Sequence, residues 1–307
     1  MNWFLIALIG PILYAATNHI DKHLLEKYFK GGEVGAVTLF SALFAVFTLP
    51  LIYLVEPQVF SLGLIPVIVL VLSGALGVAC LILYFKALQD NEASVVVPYY
   101  QTIPIFGFIL GYFILGEVLN ASQIVACGLV IIGTIILSLD LTSSKVQVKK
   151  KVAVLMLAAS FLYAVGGVAF KLIAVEDGFW VSLFWSFVGA VLIGIFLFVF
   201  VGTYRRQFLQ VFRHNSWSVI SLNSFNEILA IIADGTTAFA MLLAPIALVL
   251  TVNGFQPLFV FLFGILITLF LPKGEKESLS RNVIAQKILA IGIITVGTVV
   301  LGMSGAL

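Results

Sequence analysis

The sequence predicts an all-α integral membrane protein, with ten transmembrane helices forming two inverted five-helix repeats around a central cavity. Composition is the first observation behind this. Of 307 residues 62% are hydrophobic and only 10% charged, with a mean hydropathy of +1.19. A soluble domain of this length could not hide so much apolar surface. The second observation is an internal repeat. Leu13-Tyr14-Ala15 is followed eight residues after the tyrosine by Lys22, and Leu162-Tyr163-Ala164 at the same interval by Lys171. Gln101-Thr102-Ile103-Pro104 with Gly111 answers Gly254-Phe255-Gln256-Pro257 with Gly264. Gly128 and Gly133-Thr134 close one half as Gly292 and Gly297-Thr298 close the other.

A bilayer span needs ~20 apolar residues. Ten segments fit: 3–22, 33–55, 62–86, 93–115, 121–139, 152–172, 179–202, 217–243, 245–270 and 284–303. Residues 1–144 form the first repeat, 145–151 a basic linker and 152–307 the second repeat. The connections are short, so no sizeable soluble domain is expected. The first segment has neither a charged lead nor a small-residue cleavage site and is read as a retained span. Ten spans put both termini on one face, and of the 16 Lys and Arg residues only Lys171 belongs to that face. Because basic short loops stay in the cytoplasm, the termini are placed outside a plasma (inner) membrane and the 145–151 linker inside. Five spans per half invert the halves relative to each other, as alternating access requires.

Polar residues within the spans are the candidate functional groups. In segment one, Tyr14, Asn18 and Lys22 are spaced by four and share a stripe, with His19 and Asp21 beside it. Lys22 could equally snorkel to the interface, and His19 is secondary because a lone His is more often simply hydrogen-bonded. Segments four and nine each carry an internal proline, with Tyr100 and Gln101 before Pro104 and Asn253 and Gln256 before Pro257. Proline frees backbone carbonyls, and recurrence at matching places favours a cavity wall over two unrelated kinks. Lys171 of segment six, stacked with Tyr163, is a further secondary candidate and a natural partner for an intramembrane acid.

Segment eight carries two such acids, Glu227 and Asp234, seven residues apart. That spacing returns to nearly the same azimuth, and Asn223, with Asn226 at its shoulder, extends the stripe. The corresponding first-half positions, Leu70, Gly74 and Leu81, lack polar side chains. A charge in hydrocarbon costs roughly 2.5–3.5 kcal/mol on insertion scales, and intramembrane acids are functional candidates by default. The alternative is a buried ion pair that only fixes packing. A carboxylate in low dielectric can exchange protons near neutrality, or it could attract the ammonium of a solute.

The remaining features argue for exclusions. Cys80 and Cys127 fall inside spans and are read as small apolar residues, not as a disulfide or metal site. No Cys/His cluster indicates a metal, no cofactor is implied, and no basic patch interleaved with aromatics points to nucleic acid. Glu92 is placed at a helix N-terminus, Glu117 in a short loop, and the glycines of segments five and ten at close helix packing.

These residues resemble the EamA family of the drug/metabolite transporter superfamily. The resemblance rests on the two five-helix repeats, on Tyr14-Ala15 with a Lys eight residues on, on Tyr84-Phe85-Lys86-Ala87-Leu88 closing segment three, and on Pro104 followed by Leu115-Gly116-Glu117. It implies a basket of helices one to four and six to nine around a cavity, with five and ten packed outside. It also implies exporters of amino acids, other metabolites or toxic compounds. Segment two lacks the family's usual Arg, and many relatives look N-in where these loop charges look N-out.

The sequence therefore points to a secondary carrier, exporter or exchanger, of small polar or cationic organic metabolites, with protons as a coupling candidate. Its partners would be the bilayer, the solute and protons, as a monomer or homodimer. Without a Walker A signature, ATP drive is not expected. The alternative is a flippase for a lipid-linked or phosphate-bearing intermediate, for which Lys22 and Lys171 would be the cations. A membrane-embedded enzyme would need a nucleophile–base pair or clustered metal ligands, and the chain shows neither.

Overall fold

In hydrocarbon a chain has no water to satisfy its backbone, so an apolar chain must pair every N–H and C=O within helices or a closed barrel. The computed structural model describes residues 3–27, 34–88, 96–138, 150–214, 217–270 and 281–301. Among them all regular structure is helical. The helices are α1 (Trp3–Lys27), α2 (Val34–Phe44), α3 (Thr48–Val55), α4 (Leu64–Leu88), α5 (Ile103–Leu115), α6 (Ala121–Ser138), α7 (Lys150–Asp177), α8 (Phe179–Phe200), α9 (Gly202–His214), α10 (Trp217–Leu243), α11 (Ile246–Asn253), α12 (Gln256–Phe270) and α13 (Arg281–Leu301). Seven stretches are long and apolar enough to cross a membrane, and three shorter apolar helices cover Tyr99–Leu115, Ala121–Ile136 and Ala285–Val300. This is a multi-span membrane protein. The region of Glu92 lies outside the described residues.

Both repeat prolines follow a local irregularity in the α-helical hydrogen bonding. Pro104 lies in the first turn of α5, directly after a 3₁₀ turn at Val97–Thr102, and Pro257 is the second residue of α12, after a turn at Gly254-Phe255. At a first turn the missing proline N–H has no partner to lose. The backbone stays right-handed helical through Thr102-Ile103 and at Gly254, so each proline follows a tightened turn inside a continuing apolar stretch.

Helix α9 was not anticipated. Its sequence alternates faces at helical spacing: Arg205 and Arg206 are exposed, while Tyr204 and Phe208 pack inward with Val211. The Gly35 amide at the start of α2 donates to Gln207 Oε1 at 3.1 Å, and the Tyr204 ring covers Gly35. Burial there pushes the Tyr204 hydroxyl above its ordinary pKa. An amphipathic helix with arginines on its outer face suits the membrane surface.

The most extensive packing is between α6 and α13, α4 and α7, α1 and α10, and α4 and α8, whereas α2 touches α10 only sparingly. Small residues make the close crossings. A Cβ on Gly74 would overlap the Ser186 carbonyl, and one on Gly189 would overlap the Val71 carbonyl, so α4 and α8 meet backbone to backbone. Ser73 Oγ donates to the Gly166 carbonyl at 2.8 Å, tying α4 to α7. Gly133 faces Ile294 and Gly297 faces Val130 across the α6–α13 contact. Gly128 and Gly292, expected to serve the same packing, have nothing within 4 Å of a built Cβ. Two of those four glycines therefore make the contact.

This geometry sets a test. Gly189→Ala should lower stability by about 1–3 kcal/mol, the usual cost of overpacking, because a backbone carbonyl cannot swing aside. Gly128→Ala should be near neutral. Thermal unfolding of both variants in detergent measures the difference.

Candidate functional site

Helix α10 carries one face to lipid and another to the protein interior. Phe225, Ile228, Ile232 and Phe239 are exposed at intervals of three, four and seven, which marks the outer stripe. Asn223, Asn226, Glu227, Ala233, Thr237 and Met241 are buried and mark the inner one. Asp234 follows Ile232 by two residues, a turn of about 200°. It belongs to the inner side, yet its side chain is solvent-exposed. Asp234 is thus an accessible acid on the side of α10 opposite its lipid-facing stripe.

Asp234, Glu227 and Asn226 of this face are each hydrogen-bonded to another helix. The Tyr14 hydroxyl of α1 donates to Asp234 Oδ1. Ser41 Oγ of α2 donates to Glu227 Oε1 at 2.6 Å. Asn226 Nδ2 donates to Asp21 Oδ1 of α1, also at 2.6 Å. Asp21, Glu227 and Asp234 are close enough to interact electrostatically, and Tyr163 of α7 hydrogen-bonds Tyr14 beside Asp234. The Oδ1 atoms of Asn223, Asn226 and Asn253 and the hydroxyl of Thr237 are buried without partners. Thr237 and Asn253 flank Gly10 of α1, where a Cβ would displace the Thr237 hydroxyl.

The other candidates fall around this cluster or away from it. The Tyr100 ring lies 5.3 Å from that of Tyr84, tilted by 37°. Asn18 and Gln256 are half-buried. Gln101 turns toward α6, where Thr134 Oγ1 donates to its Oε1 at 2.8 Å. His19 Nε2 lies 3.0 Å from the Val260 carbonyl, joining α1 to α12. The Lys22 side chain lies outside the described residues.

Lys171 does not partner the α10 acids. Its Nζ lies 2.5 Å from Glu117 Oε1 and donates to the Ala244 carbonyl at 2.6 Å. Glu117, read from sequence as a bland loop residue, is the centre of a buried clamp. Gly116, with φ of 67°, ends α5 in the left-handed conformation and turns the chain back. Glu117 then folds over Gly111, and its Oε2 accepts from the Ile246 amide at 2.8 Å. A carboxylate on the first amide of α11 also meets the positive end of that helix. Ion pair and cap together lock the end of α5, helix α7 and the α10–α11 junction.

Sequence reasoning undervalued three groups. Asp21 was noted only as a neighbour of the α1 stripe, although it is an intramembrane acid by the same rule that selected Glu227. Ser41 gave no signal, since one hydroxyl in an apolar span is common, and Tyr84 stood out only as part of the motif closing segment three. Among the described residues no group of three or more His, Cys, Asp or Glu side chains could hold a metal.

Residues 1–139 match the model of the EamA-like transporter family. No curated protein matches the chain. Among solved structures 26 chains match. One crystal structure of another protein superposes with a TM-score of 0.71 at 15% identity, covering 98% of this chain and 96% of that one. At that identity the likeness shows the fold alone.

The clamp gives a prediction. Both partners are largely buried, so Lys171→Met strands the Glu117 charge and should cost about 3–5 kcal/mol. The double variant Lys171→Met/Glu117→Gln should recover part of that loss. Unfolding midpoints in detergent compare the two.

Proposed function

We propose, for a chain whose residues 1–139 match the EamA-like transporter family model, a secondary active carrier of small polar or cationic organic metabolites. It acts as an exporter or exchanger, coupled to protons, by alternating access. The observation that carries this reading is Asp234, an acid on the inward face of α10 that nevertheless meets solvent. A structural acid in a dry core would be covered on all sides, whereas an acid that binds or exchanges a cation must be reachable.

Architecture supports the same reading. The seven long spans and three shorter apolar helices add to ten, and the sequence repeat pairs α1 with α7 and α4 with α10. Packing of α4 on α7 is matched by packing of α10 on α1. In contrast, α4 is pressed onto α8 while their counterparts α10 and α2 barely touch. Two halves that pack alike in one pair and unlike in another fit a carrier caught facing one side. The Ser41–Glu227 bond spans the looser pair. Protonating or releasing Glu227 would alter that contact, which gives the coupling group a mechanical consequence. With the Lys- and Arg-rich loops taken as cytoplasmic, the looser pair's Val34 and Trp217 ends would face that side.

The flippase alternative relied on Lys22 and Lys171 for a phosphate. Lys171 is engaged with Glu117 and the Ala244 carbonyl, which weakens that reading.

Transport should depend on both acids. In proteoliposomes bearing a pH gradient, a panel of amino acids, polyamines, sugars and nucleosides should identify a solute moved by the unaltered protein. Asp234→Asn and Glu227→Gln should each reduce that flux at least tenfold while keeping the unfolding profile in detergent. Full flux in both variants would contradict the assignment.

A further inference from the structure

We propose that helix α9 docks onto the phosphates of anionic phospholipid through Arg205 and Arg206, and that this contact braces the N-terminal end of α2.

The level of α9 in the bilayer follows from its neighbour in the chain. Helix α8 ends at Phe200, and only Val201 separates it from α9. Leu192, Ile195, Phe196, Val199 and Phe200 are exposed at helical spacing, so the lipid-facing stripe of α8 runs to its last residue. Arg205 Nη1 donates to the Val199 carbonyl at 3.3 Å. Its guanidinium therefore lies where the apolar stripe stops, the depth at which hydrocarbon gives way to phosphate.

At about 100° per residue, Tyr204, Phe208 and Val211 share one side of α9, and Arg205, Arg206 and Leu209 the opposite one. Protein covers the first side. The Phe208 ring meets Phe198 edge-on with centroids 6.0 Å apart, and Val211 packs into the cluster of Val34, Ala36 and Val37. Tyr204 covers Gly35, whose amide donates to Gln207 Oε1. On the second side all three residues are exposed. Leu209 falls between the azimuths of the two arginines, so an apolar side chain for the acyl region is flanked by two groups for the headgroups.

Charge selects an anionic lipid. Helix α9 contains no acidic residue, and neither do α2 and α8, the helices most extensively packed against it. The two positive charges therefore have no counter-charge on any of these elements. A guanidinium offers a planar fork that takes phosphate oxygens in pairs, and anionic leaflets attract basic groups at their surface. An acidic protein segment could meet the same charge, but it would not account for the join to the lipid-facing stripe of α8. Because Tyr204, Gln207 and Val211 hold the start of α2, fixing α9 at the headgroups fixes that end of α2 as well.

The test uses the purified full-length chain in nonionic detergent at physiological ionic strength. Its three probes are dioctanoyl phosphatidylglycerol, dioctanoyl phosphatidylcholine and glycerol 3-phosphate. Phosphatidylglycerol should raise the unfolding temperature in a saturable way, with an apparent Kd at least fivefold tighter than that of phosphatidylcholine. Glycerol 3-phosphate should have no effect. The double variant Arg205→Gln/Arg206→Gln should weaken phosphatidylglycerol at least tenfold and leave phosphatidylcholine within twofold. Lys150→Gln, which removes an exposed cation elsewhere, should change neither. Amide exchange at residues 34–37 should slow with phosphatidylglycerol in the unaltered protein. Equal affinity for the two lipids would overturn the docking site, as would full phosphatidylglycerol affinity in the double variant or an equal loss in Lys150→Gln. Stabilisation by glycerol 3-phosphate as strong as by the lipid would overturn the lipid as occupant, and unchanged exchange at 34–37 would overturn the brace. Probe selectivity of the unaltered protein decides the matter even if a variant does not fold.

Discussion

Charge inside a bilayer has to be answered by a partner, and most of this structure's polar organisation follows from that one constraint. Carboxylates on α10 and α1 cannot face lipid, so they turn inward and draw groups from α1, α2 and α7 around them. Asp234 takes Tyr14, Glu227 takes Ser41, and Asp21 takes Asn226. Each bond crosses between helices, so the acids connect the elements that a carrier would have to move. All three of these contacts are hydrogen bonds to neutral side chains.

The other buried charge is handled in the opposite way. Glu117 and Lys171 neutralise each other at short range, and both also hold backbone groups at the α10–α11 junction. That clamp is saturated and suited to a fixed hinge or anchor. The α10 acids are held instead by single neutral hydroxyl donors. Glycine contacts make the same division in apolar terms, since α4 and α8 meet backbone to backbone at Gly74 and Gly189 while α2 and α10 stay loosely associated. The Ser41–Glu227 hydrogen bond lies at the thinner of these two contacts.

Much of this was legible in the sequence because hydropathy and helical period are local signals. The seven-residue interval between Glu227 and Asp234 indicated their shared side of α10, and hydropathy marked the apolar spans. What escaped depended on partners distant in the chain. Nothing near Glu117 announces Lys171, 54 residues on, and only the left-handed turn at Gly116 brings them together. Helix α9 was missed because its arginines look like an ordinary basic loop unless Tyr204, Phe208 and Val211 are read as one face. Gly128 and Gly292 matched their packing partners by repeat position, but a helix contact selects one azimuth, and they lie off it.

The account stands on Asp234 facing a wet interior while Ile232, two residues earlier, faces lipid. Single-cysteine variants Asp234→Cys and Ile232→Cys, with Cys80 and Cys127 replaced by Ala, can be reconstituted and exposed to a membrane-impermeant methanethiosulfonate. Rapid modification at position 234 and none at 232 is the predicted result. Protection at 234, or equal modification at both, would contradict an aqueous chamber at the inner face of α10.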